Sequence, residues 1–426
     1  LGKIYLENKS LDIETVHVHT HTIHSSQISD IILSGKDLNN NLTGNIANTL
    51  SHQPNIGVNS FGAATSKPVV RGYSGDRFLL TKDGTTIGDL SQSSIDHAIT
   101  LDMTEISKIE VVRGPKSLLY GPNTIGGVLN ASIIGNPRVR VNKFFKTFLM
   151  GGESFNDGLY GKVMFYIPIK NNQINLFINN RYTDNQTSPI GELDNTYSQT
   201  SNYKIGYTRY NNHNYINLII EKYNIDYGIP GSIEGHIDGV DINVVKNTFQ
   251  INFHSDISFN NFNQFDMNYS LIDYEHKEFE NNLDYSTVAL ARNTHNIKVK
   301  MESPNTIIGS DFTYKQFSPS GYYWTPTTNE LDLSLYGFNE KELKYFNFLS
   351  SFRVGYLLID LDNRNISFSN LDSQEVKNRN FKYLSSSFGL QKYFDNFELS
   401  SWLISTMKAP KIEDLYSDGP HLGAYS

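Results

Sequence analysis

Cysteine is absent from the 426 residues. A disulfide framework and a thiolate metal site are therefore excluded, and the absence suits an oxidising envelope compartment. Tryptophan is nearly missing, at two residues. No run of about eighteen apolar residues occurs, so no transmembrane helix is available. Leu1 to Ser10 carry neither a basic stretch nor an apolar core, so no secretory signal is visible there. Charged residues make up only 19% of the chain and the net charge is −8. That balance argues against nucleic acid as a partner and mildly favours attracting a cation. No nucleophile elbow, phosphate loop or pair of catalytic carboxylates stands out, so the sequence does not read as an enzyme.

What is present is aromatic and polar. Tyrosine reaches 26 residues and phenylalanine 25, asparagine is abundant, and hydrophobic residues total 38%. By length alone the chain accommodates two or three soluble domains. Composition narrows this. A strand crossing a bilayer needs roughly 9–11 residues and alternates lipid-facing with lumen-facing side chains, so its average hydropathy is low. The mean hydropathy of −0.40 fits that case.

Three regions separate along the chain. Residues 1–26 are polar. Residues 27–136 hold the sharpest turn punctuation, including Asp83-Gly84, Gly114-Pro115 and Gly126-Gly127. From 137 to 426, period-2 segments recur between clusters of Asn, Asp, Gly and Ser. Examples are Lys162–Ile169, Ile174–Asn180, Tyr203–Tyr210, Tyr215–Ile220, Thr248–His254, Phe265–Leu271, Leu331–Tyr336 and Leu399–Ile404. A short turn at Asn211–Asn214 contrasts with a long connection expected over Tyr223–Val244, the loop asymmetry of outer-membrane barrels. No fixed repeat of 20–50 residues points to a solenoid. A soluble sandwich would bury Val, Ile and Leu on one face rather than alternate Tyr and Phe with Asn and Ser.

The punctuated region carries an ordered set of motifs. Val69-Val70-Arg71-Gly72 is followed by Leu79-Leu80-Thr81-Lys82-Asp83-Gly84. Then come Ile109-Glu110-Val111-Val112-Arg113-Gly114-Pro115, Leu118-Leu119-Tyr120-Gly121 and Ile125-Gly126-Gly127-Val128-Leu129-Asn130. Short strands end in a charged residue, and Gly or Pro then turns the chain. Asp83-Gly84 reads as a hairpin turn. In this order the motifs closely resemble the plug of TonB-dependent outer-membrane receptors. The resemblance implies a mainly β protein: an α+β plug over 27–136 inside a transmembrane antiparallel barrel of about 22 strands. At ~10 residues per strand, the region after 136 suffices for roughly the first 11–14 strands, so an incomplete barrel is expected. An open barrel leaves edges that lipid cannot satisfy. The family also implies that plug arginines, here Arg71 and Arg113, face barrel carboxylates.

The run Glu14-Thr15-Val16-His17-Val18 resembles a TonB box. That resemblance implies strand addition to the inner-membrane TonB–ExbB–ExbD energy-transducing complex, driven by backbone hydrogen bonds. His17, His19, His21 and His24 read first as an exposed linker.

Substrate clues lie elsewhere. Ser93–Thr100, with Asp96-His97-Ala98, resembles an element of zinc-uptake receptors. So do Tyr227-Gly228-Ile229-Pro230-Gly231, opening a long loop, and Asp273–Glu280, which is acidic and His-bearing. Ala409–His421 resembles a strand of that subgroup. Zinc takes imidazole nitrogen and carboxylate oxygen where no thiolate exists. The resemblance implies Asp96 and His97 on the plug, with Glu278 or Glu280 and neighbouring His276 on the barrel, as ligands. Glu278 and Glu280 have period-2 spacing and share one strand face. The loop after Gly231 departs from the subgroup, offering only Glu234, His236, Asp238 and Asp241. Zinc or a zinc complex is thus the expected transported ligand, with no cofactor required. Haem or an iron-siderophore complex is the alternative, with His97 as a haem ligand.

Overall fold

The computed structural model describes residues 29–417, apart from 61, 63, 123, 135–136, 139, 232–236, 238, 281–282, 324, 363–374 and 395–396. The TonB-box-like residues Glu14 to Val18 lie outside these, as do most of the loop after Gly231 and Asp418 to His421.

The N-terminal part builds seven short strands: β1 (Ser29–Ser34), β2 (Ile56–Asn59), β3 (Lys67–Val70), β4 (Leu79–Lys82), β5 (Thr85–Thr86), β6 (Ile106–Val112) and β7 (Val128–Ile133). Five form one sheet in the order β1-β6-β7-β4-β5, and β2 pairs with β3. The β4–β7 pairing is parallel. Helices α1 (Gly35–Asn41) and α2 (Ile46–Leu50) bury Leu38, Ile46 and Leu50 in a core with Ile109, Val111, Leu129 and Ala131. Turn chemistry follows the residues. Asp83 and Gly84 both take positive φ (50° and 76°) in the turn from β4 to β5. Arg71 and Gly72 do the same (51° and 83°), and Val70 and Tyr73 exchange two 2.9 Å hydrogen bonds across them. Gly114 (φ 66°) starts the 3-10 segment Gly114–Leu119, with Pro115 at its first turn.

Thirteen strands make a single antiparallel wall: β8 (Phe145–Glu153), β9 (Gly158–Ile169), β10 (Asn172–Thr183), then β13 (Ser198–Asn211) to β22. A separate small hairpin, β11 (Gln186–Ser188) with β12 (Gly191–Leu193), interrupts them. The rest are β14 (Asn214–Ile229), β15 (Val240–Phe259), β16 (Phe262–Glu280), β17 (Val288–Glu302), β18 (Thr306–Gly321), β19 (Thr328–Glu342), β20 (Asn347–Leu361), β21 (Arg379–Tyr393) and β22 (Glu398–Ser405).

Alternation decides the two faces of the wall. On β14, Tyr215, Asn217, Glu221, Tyr223 and Tyr227 are buried toward the plug, whereas Ile216, Leu218 and Ile220 are exposed. The exposed set is in register: Ile205 pairs with Ile220, Leu335 with Val354, and Val354 with Leu384. An apolar band of this kind faces lipid rather than water. No helix among the described residues is long and apolar enough to cross a membrane. One end of the wall has tight turns, such as Asn212-His213 and Asn260-Asn261, and the other has longer connections.

Two expectations are corrected here. The connection placed over Tyr223–Val244 is shorter, because β14 continues to Ile229 and β15 resumes at Val240. The strands run past the lipid band, and their plug-facing alternation continues through Tyr223, Ile225, Tyr227 and Ile229. The Ala409–His421 stretch is not a strand where it is described. It contains α3 (Ile412–Tyr416), started by the Lys411 amide donating to the Asp414 carboxylate at 3.2 Å and held by the i, i+4 pair Ile412 and Tyr416, both buried.

The plug is fastened to the wall by charge. Lys82 of β4 binds Glu221 of β14 at 3.0 Å and also the plug's own Glu105, which in turn binds Lys204 of β13. Burial would pull the Lys82 ammonium down, yet the two carboxylates raise it above its ordinary value. A second fastening runs from wall to plug: Arg353 of β20 donates to the Leu118 and Leu119 carbonyls and to Asp311 and Ser334. Arg71 is exposed at its turn, and among the described residues no ion pair joins it to a strand of the wall. Arg113 lies against Gly127 at the end of β6.

Candidate metal centre

Between β5 and the 3-10 turn Met103–Glu105, residues 87–102 form neither strand nor helix. A buried irregular segment still requires partners for its main chain, and here side chains provide them. Asp89 closes the neck of the loop, accepting from the Ser91 amide and hydroxyl and from the Thr100 amide and hydroxyl. Burial alone would raise the Asp89 carboxyl; Lys246 and these hydrogen bonds hold it below the ordinary range. Four cations then grip carbonyls of the loop. Lys67 donates to Ser91 and Ser94, Arg292 to Asp89, Lys411 to Gln92 and Lys246 to Thr100. Burial lowers the Lys67 ammonium to about 8.

At the far side of this loop His97 is fully buried and faces β16. Its imidazole lies 4.4 Å, centroid to centroid, from that of His276, with the rings tilted by 53°. Glu278 completes the group: its Oε1 is 2.9 Å from His276 Nε2 and 3.7 Å from His97 Nε2. His276 and Glu278 are two residues apart on β16 and therefore share the plug-facing side. One ligand atom from each of the three lies within 4.8 Å of the others. A four-coordinate zinc with ligands at ~2.0–2.1 Å sets those atoms roughly 3.4 Å apart, so the group needs only small shifts to hold an ion.

The outer contacts orient the rings. His97 Nδ1 faces the Leu90 carbonyl at 3.1 Å. A carbonyl only accepts, so the proton belongs on Nδ1 and the Nε2 lone pair points to the centre. His276 Nδ1 stands 3.4 Å from the Tyr274 hydroxyl, leaving its Nε2 toward Glu278. Burial pulls the His97 imidazole down, but Asp96 and Glu278 outweigh it and leave it raised. Two imidazoles and one carboxylate make a donor set suited to zinc and its neighbours in the transition series.

The remaining residues singled out from the sequence are elsewhere. Asp96 is buried beside His97, but its carboxylate takes the Ser94 hydroxyl and is not part of the three-residue group. Glu280 shares the face of Glu278, yet its carboxylate accepts from Thr287 at 3.2 Å and also stands outside the group. Asp89, Lys67 and the strand residues that hold the loop escaped sequence reasoning. The one available signal was the continuing alternation of β14 beyond Tyr223.

Comparison with known proteins bears on the fold. Residues 22–128 match the family model described as the TonB-dependent receptor plug domain. A vitamin B12 transporter of Photobacterium profundum is 37% identical over 86 residues, 20% of this chain and 14% of that protein. A hemin receptor of Yersinia pestis is 32% identical over 104 residues, 23% of this chain and 14% of that protein. Among solved structures, the copper transporter OprC superposes with a TM-score of 0.73 at 13% identity, covering 86% of this chain and 60% of that one. The FrpB iron transporter from Neisseria meningitidis gives 0.73 at 11% identity, covering 91% and 65%. The chain thus spans less than two thirds of the length of either structure.

Proposed function

We infer that this chain, which carries a TonB-dependent receptor plug domain on the fold of outer-membrane receptors, serves the uptake of zinc or a small zinc complex. It sits in the outer membrane, crossed by strands. The observation that carries the zinc reading is the meeting of plug His97 with barrel His276 and Glu278. The ion is cargo, not a resident cofactor. It binds by exchanging water for two neutral imidazoles and a carboxylate, and no covalent chemistry is required.

A composite site has a mechanical consequence. Because one ligand belongs to the plug and two to the barrel, displacing the plug separates the donors and weakens binding at the moment of passage. The energy for that displacement would come from the TonB–ExbB–ExbD complex acting through the N-terminal segment. The contacting rings of His97 and His276 leave no gap for a macrocycle, which supports an ion over haem.

Calorimetric titration of zinc into the complete receptor, wild type against His97→Ala/Glu278→Gln, tests the reading. Binding in the wild type that is lost in the double variant is expected. Equal binding in both, or a haem Soret band abolished by His97→Ala with no zinc binding, would overturn it.

A further inference from the structure

His97 is placed by a residue that no ligand list would include. Tyr227 of β14 is fully buried, and its ring packs with Leu90 and Ala98 of the plug loop. Its hydroxyl donates to the Asp96 carbonyl at 3.0 Å and accepts from the Ala98 amide at 3.0 Å. One oxygen on the wall therefore grips the plug main chain on both sides of the histidine. The neighbouring grips at Asp89, Ser91, Gln92, Ser94 and Thr100 hold the body of the loop, whereas Tyr227 alone among them brackets residue 97.

The geometry explains why such a grip is needed. His276 and Glu278 are fixed to each other by two residues of one strand. His97 reaches them from a loop without regular hydrogen bonding, so its register against β16 is set from outside. A hydroxyl that binds both flanking peptide groups fixes the position and the tilt of the Cα that carries the imidazole. Deleting it leaves all three ligands present and loosens only their mutual placement.

We propose that Tyr227 is a positioning residue that registers the plug's His97 against the barrel's two ligands, so that affinity for the metal depends on a wall-to-plug hydrogen-bond pair two strands along the wall from His276 and Glu278. The proposal rests on the zinc reading above. Its chemical requirement is a hydroxyl at 227. The buried aromatic ring alone does not suffice.

The test is Tyr227→Phe in the complete receptor, which removes one oxygen and keeps the packed ring. Zinc affinity should fall about tenfold to thirtyfold, the effect of two ordinary hydrogen bonds. Cobalt(II) bound in place of zinc should show a shifted and weakened d–d absorption, because the donor geometry relaxes while the donor count does not change. Tyr223→Phe is the control: it is equally buried on the same strand face, two pleats lower, and should leave both readouts as in the wild type. A purely structural role for Tyr227 would raise hydrogen exchange across the plug and leave the affinity and the cobalt spectrum unmoved, and that outcome overturns the proposal. Should Tyr227→Phe fail to assemble, 4-fluorophenylalanine at 227 fills the space of the hydroxyl but cannot donate to the Asp96 carbonyl and accepts only weakly; an unchanged zinc affinity there overturns the proposal equally. Absence of zinc binding in the wild type sinks the zinc reading itself, and this proposal with it. Wild-type binding lost in His97→Ala but intact in Tyr227→Phe sinks the positioning role alone.

Discussion

Replacing Glu221 by Gln should unseat the plug more than any change to an exposed charge. Glu221, Lys82, Glu105 and Lys204 form a buried cluster of two cations and two anions, and Glu105 is 1% exposed. Glu221 holds Lys82 through both oxygens, at 3.0 and 3.1 Å. At an effective dielectric of ~20, unit charges ~3 Å apart attract by about 5 kcal/mol. Removing one partner of a buried pair typically costs about 3–5 kcal/mol, because the other charge is stranded. Glu221→Gln leaves the cluster with a net positive charge, and the loss should appear as a lower opening free energy of the plug. Lys82→Met/Glu221→Met removes a whole pair, restores neutrality and should recover at least about 2 kcal/mol of the sum of the single losses. Hydrogen exchange of the peptides around β4 and Met103–Glu105, in the complete receptor, reads this directly. Additive single and double losses, or unchanged exchange in Glu221→Gln, would refute the reasoning.

Three other outcomes follow from the same structure. Arg353→Lys should loosen Gly114–Leu119, seen as faster exchange there, because an ammonium lacks the fork that reaches two carbonyls, Asp311 and Ser334 together, with an expected cost of about 2–4 kcal/mol. Lys67 has a folded-state value near 8, below the unfolded value of about 10.4, so between those values the unfolded chain binds more protons and folding strengthens as pH rises. The thermal midpoint of wild type relative to Lys67→Met should therefore climb between about pH 8 and 10.4, by an amount worth up to about 3 kcal/mol, and a flat difference contradicts the burial argument. Gly114→Ala meets both a positive φ of 66° and the Trp402 ring 3.0 Å from the new Cβ, whereas Gly35→Ala, at φ 56°, meets nothing within 4 Å. Both should lose about 1–2 kcal/mol to backbone strain, and only Gly114→Ala should lose more, as measured by denaturant unfolding.

Strand identity was legible because one face of each strand meets lipid and the other the plug, which forces a period of two. Strand ends were not. Beyond the apolar band the outward residues turn polar and the alternation survives on one side only, so β14 reads as ending near Tyr223 although it continues to Ile229. The same rule made His276 and Glu278 readable as neighbours on one face. It also promoted Glu280, which shares the face but lies one further pair along the strand, beside Thr287. Asp96 and His97 were readable only as an adjacent pair. A loop without periodicity does not declare which side chain turns inward, and the choice is made by tertiary partners, Leu90 for His97 and Ser94 for Asp96. The exposure of Arg71 was likewise invisible, since Lys82 and Glu105 carry the cross-links to β14 and β13.

The loop over residues 87–102 is joined to the wall and to Lys67 largely through its carbonyl oxygens, which every amino acid possesses. Those attachments do not depend on the side chain at the gripped position, whereas the closure by Asp89, Ser91 and Thr100 does. Gln92, bonded to the Gly75 and Phe78 carbonyls, and Ser93, bonded to Leu90, are tied by their side chains, but a different donor at 97 would still arrive on a main chain already placed against β16. The wall supplies the frame and the loop the vocabulary. A loop built this way can exchange the donor at 97 without refolding the part that presents it.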